Sequence, residues 1–236
     1  MANKLNGMIS KSNLNKAALF IALLFHICGL IGILLTPYKE WFINSTPIHL
    51  LLMTGLLIVT HLKKNKHFFL FLLITCMAGF LIEAAGVNTA AVFGKYMYGE
   101  TLGPQLFNVP LIIGINWFII IYCAGMFTQA YENYMLRRLS KGGFSISKQL
   151  QAASFIIDAV FLTVMFDWIM EPVAVKLGYW QWQNSHIPLF NYISWIIISA
   201  LLLALFRKLN AGSRNIFAVH LFIIQLLFFL VLRTFL

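Results

Sequence analysis

The sequence predicts an all-α, polytopic integral membrane protein: seven transmembrane helices with a loop or re-entrant cap on the outer side. Three observations carry this expectation. Of 236 residues, 61% are hydrophobic and 10% charged, whereas soluble domains run at roughly 45 to 50% and about 25%. Apolar runs near 20 residues, the length that crosses a hydrocarbon core of about 30 Å, recur along the chain. Between them, the Lys and Arg residues cluster in alternate connections. Seven acidic and 17 basic residues cannot cover a water-facing surface of this size, so most of the outside must meet lipid. The formal charge of +10 does not indicate nucleic acid, because the basic residues lie in short clusters between apolar runs, where they set orientation.

Seven spans are predicted, at 17–36, 46–62, 67–86, 108–129, 150–175, 190–206 and 215–232. The first follows Lys4, Lys11 and Lys16. Its apolar run is too long for a signal peptide and lacks a small-x-small cleavage pattern, so it is read as a membrane helix. With seven spans, one side collects Lys4, Lys11, Lys16, Lys63, Lys64, Lys66, Arg137, Arg138, Lys141, Lys148, Arg207, Lys208 and Arg214, and the other only Lys39, Lys95, Lys176 and Arg233. That split places the N-terminus in the cytoplasm and the C-terminus outside, with a bacterial cytoplasmic membrane as the expected location. Connections too short for a soluble domain make residues 1–236 one domain. From Gly86 to Pro110, Gly86, Gly94, Gly99, Gly103, Pro104 and Pro110 disfavour a spanning helix, which predicts the cap over the outer mouth. Cys28, Cys76 and Cys123 sit in different spans without C-x-x-C spacing and imply no disulfide or redox role.

Glu40, Glu100 and Glu132 fall in connections, leaving Glu83, Asp158, Asp167 and Glu171 in apolar helices. A carboxylate near the bilayer centre costs about 2.5 to 3.5 kcal/mol even on a lenient insertion scale, so such groups face a cavity or a partner. Asp167 and Glu171 stack one helical turn apart. They should not both ionise easily, and one is expected to hold a proton, as a general acid does. Spans 3 and 5 both run outward, which sets Glu83 at about the depth of Glu171. Asp158, about 13 Å deeper than Asp167 and half a rotation away, is given a packing or secondary role. Phe93, Tyr96, Tyr98, Trp168, Tyr179, Trp180 and Trp182 gather at the outer level. They suit an interfacial aromatic belt or the stabilisation of a positive charge by ring faces.

No H-E-x-x-H, Glu-x-x-His or cysteine cluster is present, and His26, His49, His61, His67, His186 and His220 are scattered, so no metal is expected. His26 and His220 are read as hydrogen-bonded core residues, while His49 and His186 lie on the outer side, in reach of the pocket's border. The paired Asp-rich motifs of membrane prenyltransferases are missing, and no lysine lies inside a span to form a retinal Schiff base. What remains is a cofactor-free acid site among aromatics, suited to a hydrophobic polyene. Protonating a trisubstituted alkene gives a tertiary carbocation, which water captures as hydration or a neighbouring double bond captures as ring closure.

Two blocks then resemble the membrane carotenoid 1,2-hydratase family of carotenoid biosynthesis proteins. The first runs through Glu83 to Gly86, Val87-Asn88-Thr89, Phe93-Gly94-x-Tyr96-x-Tyr98, Leu102-Gly103-Pro104, Val109-Pro110 and Trp117. The second has Asp158, Asp167, Glu171-Pro172-Val173-Ala174, Gly178-Tyr179-Trp180-x-Trp182, Ile187-Pro188, Asn191-Tyr192 and Trp195. This chain carries Ala90, Glu171 and Ser194 where that family often has Gly, Asp and Gly. The resemblance implies addition of water across the terminal C1–C2 double bond of an acyclic carotenoid end group of the lycopene or γ-carotene type. The expected catalytic residues are Asp167 or Glu171 as acid and Glu83 to orient or deprotonate water. Phe93, Tyr96, Tyr98, Trp168, Trp180, Trp182 and Asn191 are the expected substrate-binding residues, with the lipid bilayer and other carotenoid-pathway enzymes as partners. Two further readings stay open: a lycopene-cyclase-like isomerase, which adds no water, and a proton-coupled transporter, which usually shows an internal symmetry this sequence lacks.

Overall fold

The computed structural model describes residues 2–61, 66–183, 186–213 and 215–236, with side chains in the first helix described from Ser12 onward. Lys63, Lys64 and Arg214, and the side chains of Lys4 and Lys11, which entered the orientation reading, lie outside the described residues. Among the described residues there are eight helices, and all but the short α2 lie where the apolar runs were read, because a backbone in lipid must pair its own N–H and C=O groups. They are α1 (Ala2–Leu35), α2 (Lys39–Asn44), α3 (Thr46–Thr60), α4 (Lys66–Thr89), α5 (Ile112–Lys141), α6 (Lys148–Lys176), α7 (Leu189–Lys208) and α8 (Ile216–Phe235).

Six of these, α1 and α4 to α8, are long and apolar enough to cross a membrane, and the chain is accordingly an integral membrane protein. The second predicted span is present as α3 but has only 15 residues, about 22 Å at 1.5 Å per residue. Pro47 holds it to a start at Thr46, and the extended backbone of His61 ends it. Among the described residues, six helices rather than seven are therefore long and apolar enough to span. The fourth span starts later than predicted, at Ile112, because Val109–Pro110 is drawn into a strand, and it continues to Lys141 as a polar extension.

α5 is the axis of the bundle. It packs against α3, α4, α6, α7 and α8, and 78% of its apolar window is buried. Glycine permits the tightest approach. A Cβ at Gly114 would lie 2.5 Å from the Cys76 carbonyl oxygen, and one at Gly79 would strike the Trp117 side chain, so α4 and α5 meet almost backbone to backbone. Toward the other end, Arg207 on α7 pairs with Glu132 on α5 at 3.0 Å, donates to the Gln151 carbonyl of α6 at 3.2 Å, and lies over the Phe155 ring.

Residues 90–111 form a cap containing short strands that the sequence reading did not foresee. β1 (Tyr96–Tyr98) pairs antiparallel with β4 (Trp180–Trp182) from the α6–α7 connection, in the register Tyr96 to Trp182 and Tyr98 to Trp180. β2 (Gln105–Leu106) and β3 (Val109–Pro110) form a hairpin. Its two-residue loop, Phe107-Asn108, has positive φ at both positions, as the twist of a tight hairpin requires. Nothing in the cap is a re-entrant helix: Glu83 lies on α4, which runs on to Thr89 before the strands begin.

Candidate functional site

The clip formed by β1 and β4 explains how four rings reach two helices. Side chains two apart on a strand share a face, so Tyr96 and Tyr98 point together toward α4, and Trp180 and Trp182 toward α6. Met97 and Gln181 take the opposite, exposed face. The tyrosines donate to Glu83 Oε2, Tyr98 at 2.8 Å and Tyr96 in a still shorter bond, while Trp117 Nε1 donates to Glu83 Oε1 at 2.9 Å. Both indoles converge on Glu171 Oε2, from Trp180 at 2.9 Å and Trp182 at 2.8 Å. Burial, then the adjacent Glu83 carboxylate, hold the Tyr96 and Tyr98 phenols well above the ordinary tyrosine range, so both stay O–H donors.

Asp167 is served differently. Its Oδ2 accepts from Asn191 Nδ2 at 3.0 Å, while Oδ1 is buried with no hydrogen-bond partner among the described residues. Glu83, Asp167 and Glu171 are 7%, 1% and 3% exposed, and all three line one cavity of about 20 Å³ together with Phe93, Tyr96, Tyr98, Trp180, Trp182 and Asn191. Such a volume is close to what one water molecule needs.

Helix geometry separates the remaining sequence-predicted residues from this group. Trp168 follows Asp167 by one position, about 100° around the helix, and is 52% exposed. It lies beneath the Arg233 guanidinium, 4.0 Å from the ring centre, and so does not line the cavity as expected. The same contact answers a backbone problem. Pro172 inside α6 cannot donate to the Trp168 carbonyl one turn back, and Arg233 Nη1 donates there instead at 2.8 Å. Asp158 is also exposed, which removes the packing half of the packing or secondary role expected of it. His186 is exposed, whereas His26 and His49 line a second cavity.

Sequence reasoning passed over Asn116, Met170 and Ile113 and left Trp117 and Trp195 out of the site. Trp117 stacks on Trp195 with centroids 4.0 Å apart and planes at 10°, and both indoles border the cavity. Each stands in a block that carried the family resemblance, a signal for including them. Asn116 offered a signal too, as an amide inside an apolar span one residue from Trp117. Its side chain has no hydrogen-bond partner among the described residues.

Asn116, Ile113, Met170 and Trp180 line both the carboxyl-walled cavity and a larger apolar one of about 550 Å³, bounded by α1, α2, α3 and α8. That size falls among those of small-molecule sites, about 300 to 1,000 Å³. Among the described residues, no group of three or more His, Cys, Asp or Glu is arranged to hold a metal ion.

A family model described as "Carotenoid biosynthesis protein" matches residues 45–236. No curated protein and no solved structure matches the chain.

Proposed function

The chain belongs to the carotenoid biosynthesis protein family, which supports a role in carotenoid biosynthesis, and from that premise we propose that it is a cofactor-independent carotenoid 1,2-hydratase. One observation carries the reading: three buried carboxyl groups from α4 and α6 surround a water-sized space walled by indole and phenol rings, next to an apolar cavity that suits a polyene end.

Hydrogen bonding divides the work among the carboxyls. Asp167 receives a single amide donor and keeps one buried oxygen unpaired. A carboxyl so poorly supplied with donors and so desolvated is the one to carry a proton. Asp167 transfers that proton to C2 of the terminal alkene, using the C1–C2 π electrons to form the new C–H bond and leaving a tertiary cation at C1. The indole and phenol faces around it stabilise the charge, an effect worth about 2 kcal/mol in a desolvated site.

Glu83 accepts three hydrogen bonds, the surroundings of a carboxylate, and Oε1 receives only one of them. Water adds to C1 through an oxygen lone pair and gives its proton to Glu83. The proton returns to Asp167 by way of Glu171, which lines the same space. The net change is alkene plus water to tertiary alcohol. A site with room for water beside the cation favours hydration over ring closure.

The deciding experiment is expression in a bacterium that accumulates lycopene or γ-carotene, followed by chromatography with mass detection. The expected product is a more polar pigment, heavier by one water, with an unchanged visible spectrum. A pigment of unchanged mass with a new ring would refute hydration, and an unchanged pigment would refute the enzyme reading.

A further inference from the structure

The large cavity is apolar except for a few groups, and three of those are oddly placed. His26 on α1 places Nδ1 2.7 Å from the Ala22 carbonyl oxygen. A carbonyl only accepts, so Nδ1 carries the hydrogen, and in the neutral ring Nε2 is left as a bare acceptor. His49 on α3 packs edge-on to His26, with centroids 4.6 Å apart. Phe228 on α8 packs edge-on to His26 from another side at 5.4 Å, and Gln225 precedes it by three residues, on the same helix face. His26, His49 and Gln225 all line the cavity. Among the described residues, neither the His49 ring nor the Gln225 amide has a hydrogen-bond partner.

A polar group set in an apolar wall gains by meeting a hydrogen-bond partner, and three elements bring such groups here: His26 and Gln225 are buried and His49 is half-buried. We propose that His26, His49 and Gln225 form a polar subsite in the wall of the chain-binding cavity, which recognises a hydroxyl group on the half of the polyene that enters it. The chemistry selects an alcohol over a ketone or an ether. His26 Nε2 needs a ligand hydrogen, and the Gln225 amide supplies one to the ligand oxygen. A methyl ether or ketone leaves His26 unsatisfied. The inference rests on the hydratase reading for its polyene, and it adds that the preferred substrate is already oxygenated. His26 also precedes the family-matched residues 45–236, so this feature is not drawn from the family.

The test is competition. Purified full-length protein is loaded with lycopene, and its induced circular dichroism in the visible range is followed as farnesol, geranylgeraniol or the methyl ether of each is added. Each alcohol is expected to displace lycopene at about a tenfold lower concentration than its ether, the effect of one well-placed hydrogen bond. In His49→Leu and Gln225→Leu that ratio falls toward one, whatever change the new side chain makes to binding of the alcohol and the ether alike. Neither side chain hydrogen-bonds elsewhere in the fold among the described residues; His49→Leu gives up the ring contacts with His26 and Phe25, so Gln225→Leu is the variant that keeps the test independent of packing. An alcohol-to-ether ratio that is the same in the wild type and both variants overturns the subsite. Hydration of a polyene without alcohol preference refutes only this subsite, and alcohol preference without hydration refutes only the proposed activity.

Discussion

Replacing Asp167 with Asn separates chemistry from structure. The amide oxygen takes the place of Oδ2 and keeps the 3.0 Å bond from Asn191. The new NH2 then stands where Oδ1 has no hydrogen-bond partner among the described residues. No buried donor or acceptor loses a partner, so the stability change stays within about 1 kcal/mol and melting in detergent moves by a few degrees at most. The amide cannot deliver a proton. General acid catalysis contributes about 10²- to 10⁴-fold, or about 2.7 to 5.4 kcal/mol at 1.36 kcal/mol per decade, and hydration is expected to fall by that factor. Single-turnover conversion of lycopene, quantified by mass detection, reads the loss without product release. If Asp167→Asn keeps more than a tenth of the activity while Glu171→Gln falls a hundredfold, Glu171 is the acid. If both keep more than a tenth, the acid-site reasoning fails.

Glu83→Gln turns an amide NH2 toward either the Trp117 indole or the two phenols, setting donor against donor. It is expected to cost about 1 to 3 kcal/mol in a denaturation curve, and conversion should fall at least about a hundredfold. Arg233→Leu removes the donor to the Trp168 carbonyl; at this partly exposed site the loss should be about 1 kcal/mol. It should shrink when Pro172→Ala restores the helical N–H, and an undiminished loss in that background would show that Arg233 acts otherwise. Gly79→Ala sets a Cβ against Trp117, with its Cβ at 2.5 Å and Cδ1 at 2.7 Å. Overpacking of this kind costs about 1 to 3 kcal/mol and should pull the indole off Glu83, seen as a shifted tryptophan emission and lowered conversion. Burial pushes the Tyr179 phenol up to about 12, so the fold favours the neutral form. That stabilisation is complete below about pH 10, the unfolded value, and is lost as pH rises from there through about 12. Absorbance of ionised tyrosine should therefore lag behind that of the unfolded chain over this window, and Tyr96 and Tyr98 should titrate only with unfolding.

The bundle was legible because its signal is one-dimensional. A helix in lipid announces itself by an apolar run, and six such runs became α1 and α4 to α8; their ends fall within a few residues of the predicted ones except where polar turns extend the helix, at the start of α1 and the end of α5, and where Val109–Pro110 joined a strand. α3 shows the limit of that signal. Its apolar residues continue smoothly across the segment, but Pro47 and the extended His61 backbone confine the helix to 15 residues, and hydropathy does not register backbone geometry. The cap was legible only as a place where helices stop. Gly94 and Gly103, at positive φ, mark turns, yet β1 finds its partner about 80 residues away in β4, a pairing that three-residue strands do not encode in isolation.

The site divides along the same line. Asp167 and Glu171 belong to one helix, so a spacing of four placed them on one face. Glu83 needed only a common depth, which the alternation of charge implied, and the three carboxyls do line one cavity. Trp168 marks where depth misleads: it lies at the right level, but its azimuth turns it outward to Arg233. Tyr96, Tyr98, Trp180 and Trp182 show the converse. Their alternate spacing, Y-x-Y and W-x-W, is the period of a strand, and two such strands laid antiparallel give one inward face of four polar-tipped rings. Read as a strand period rather than as an interfacial belt, that spacing supplies five donors' worth of geometry with Trp117 added: four N–H or O–H groups from the clip and one from α5. Those five donors fall on Glu83 and Glu171 and none on Asp167, and this asymmetry, invisible in the spacing of the acids themselves, is the ground on which Asp167 is proposed as the proton donor.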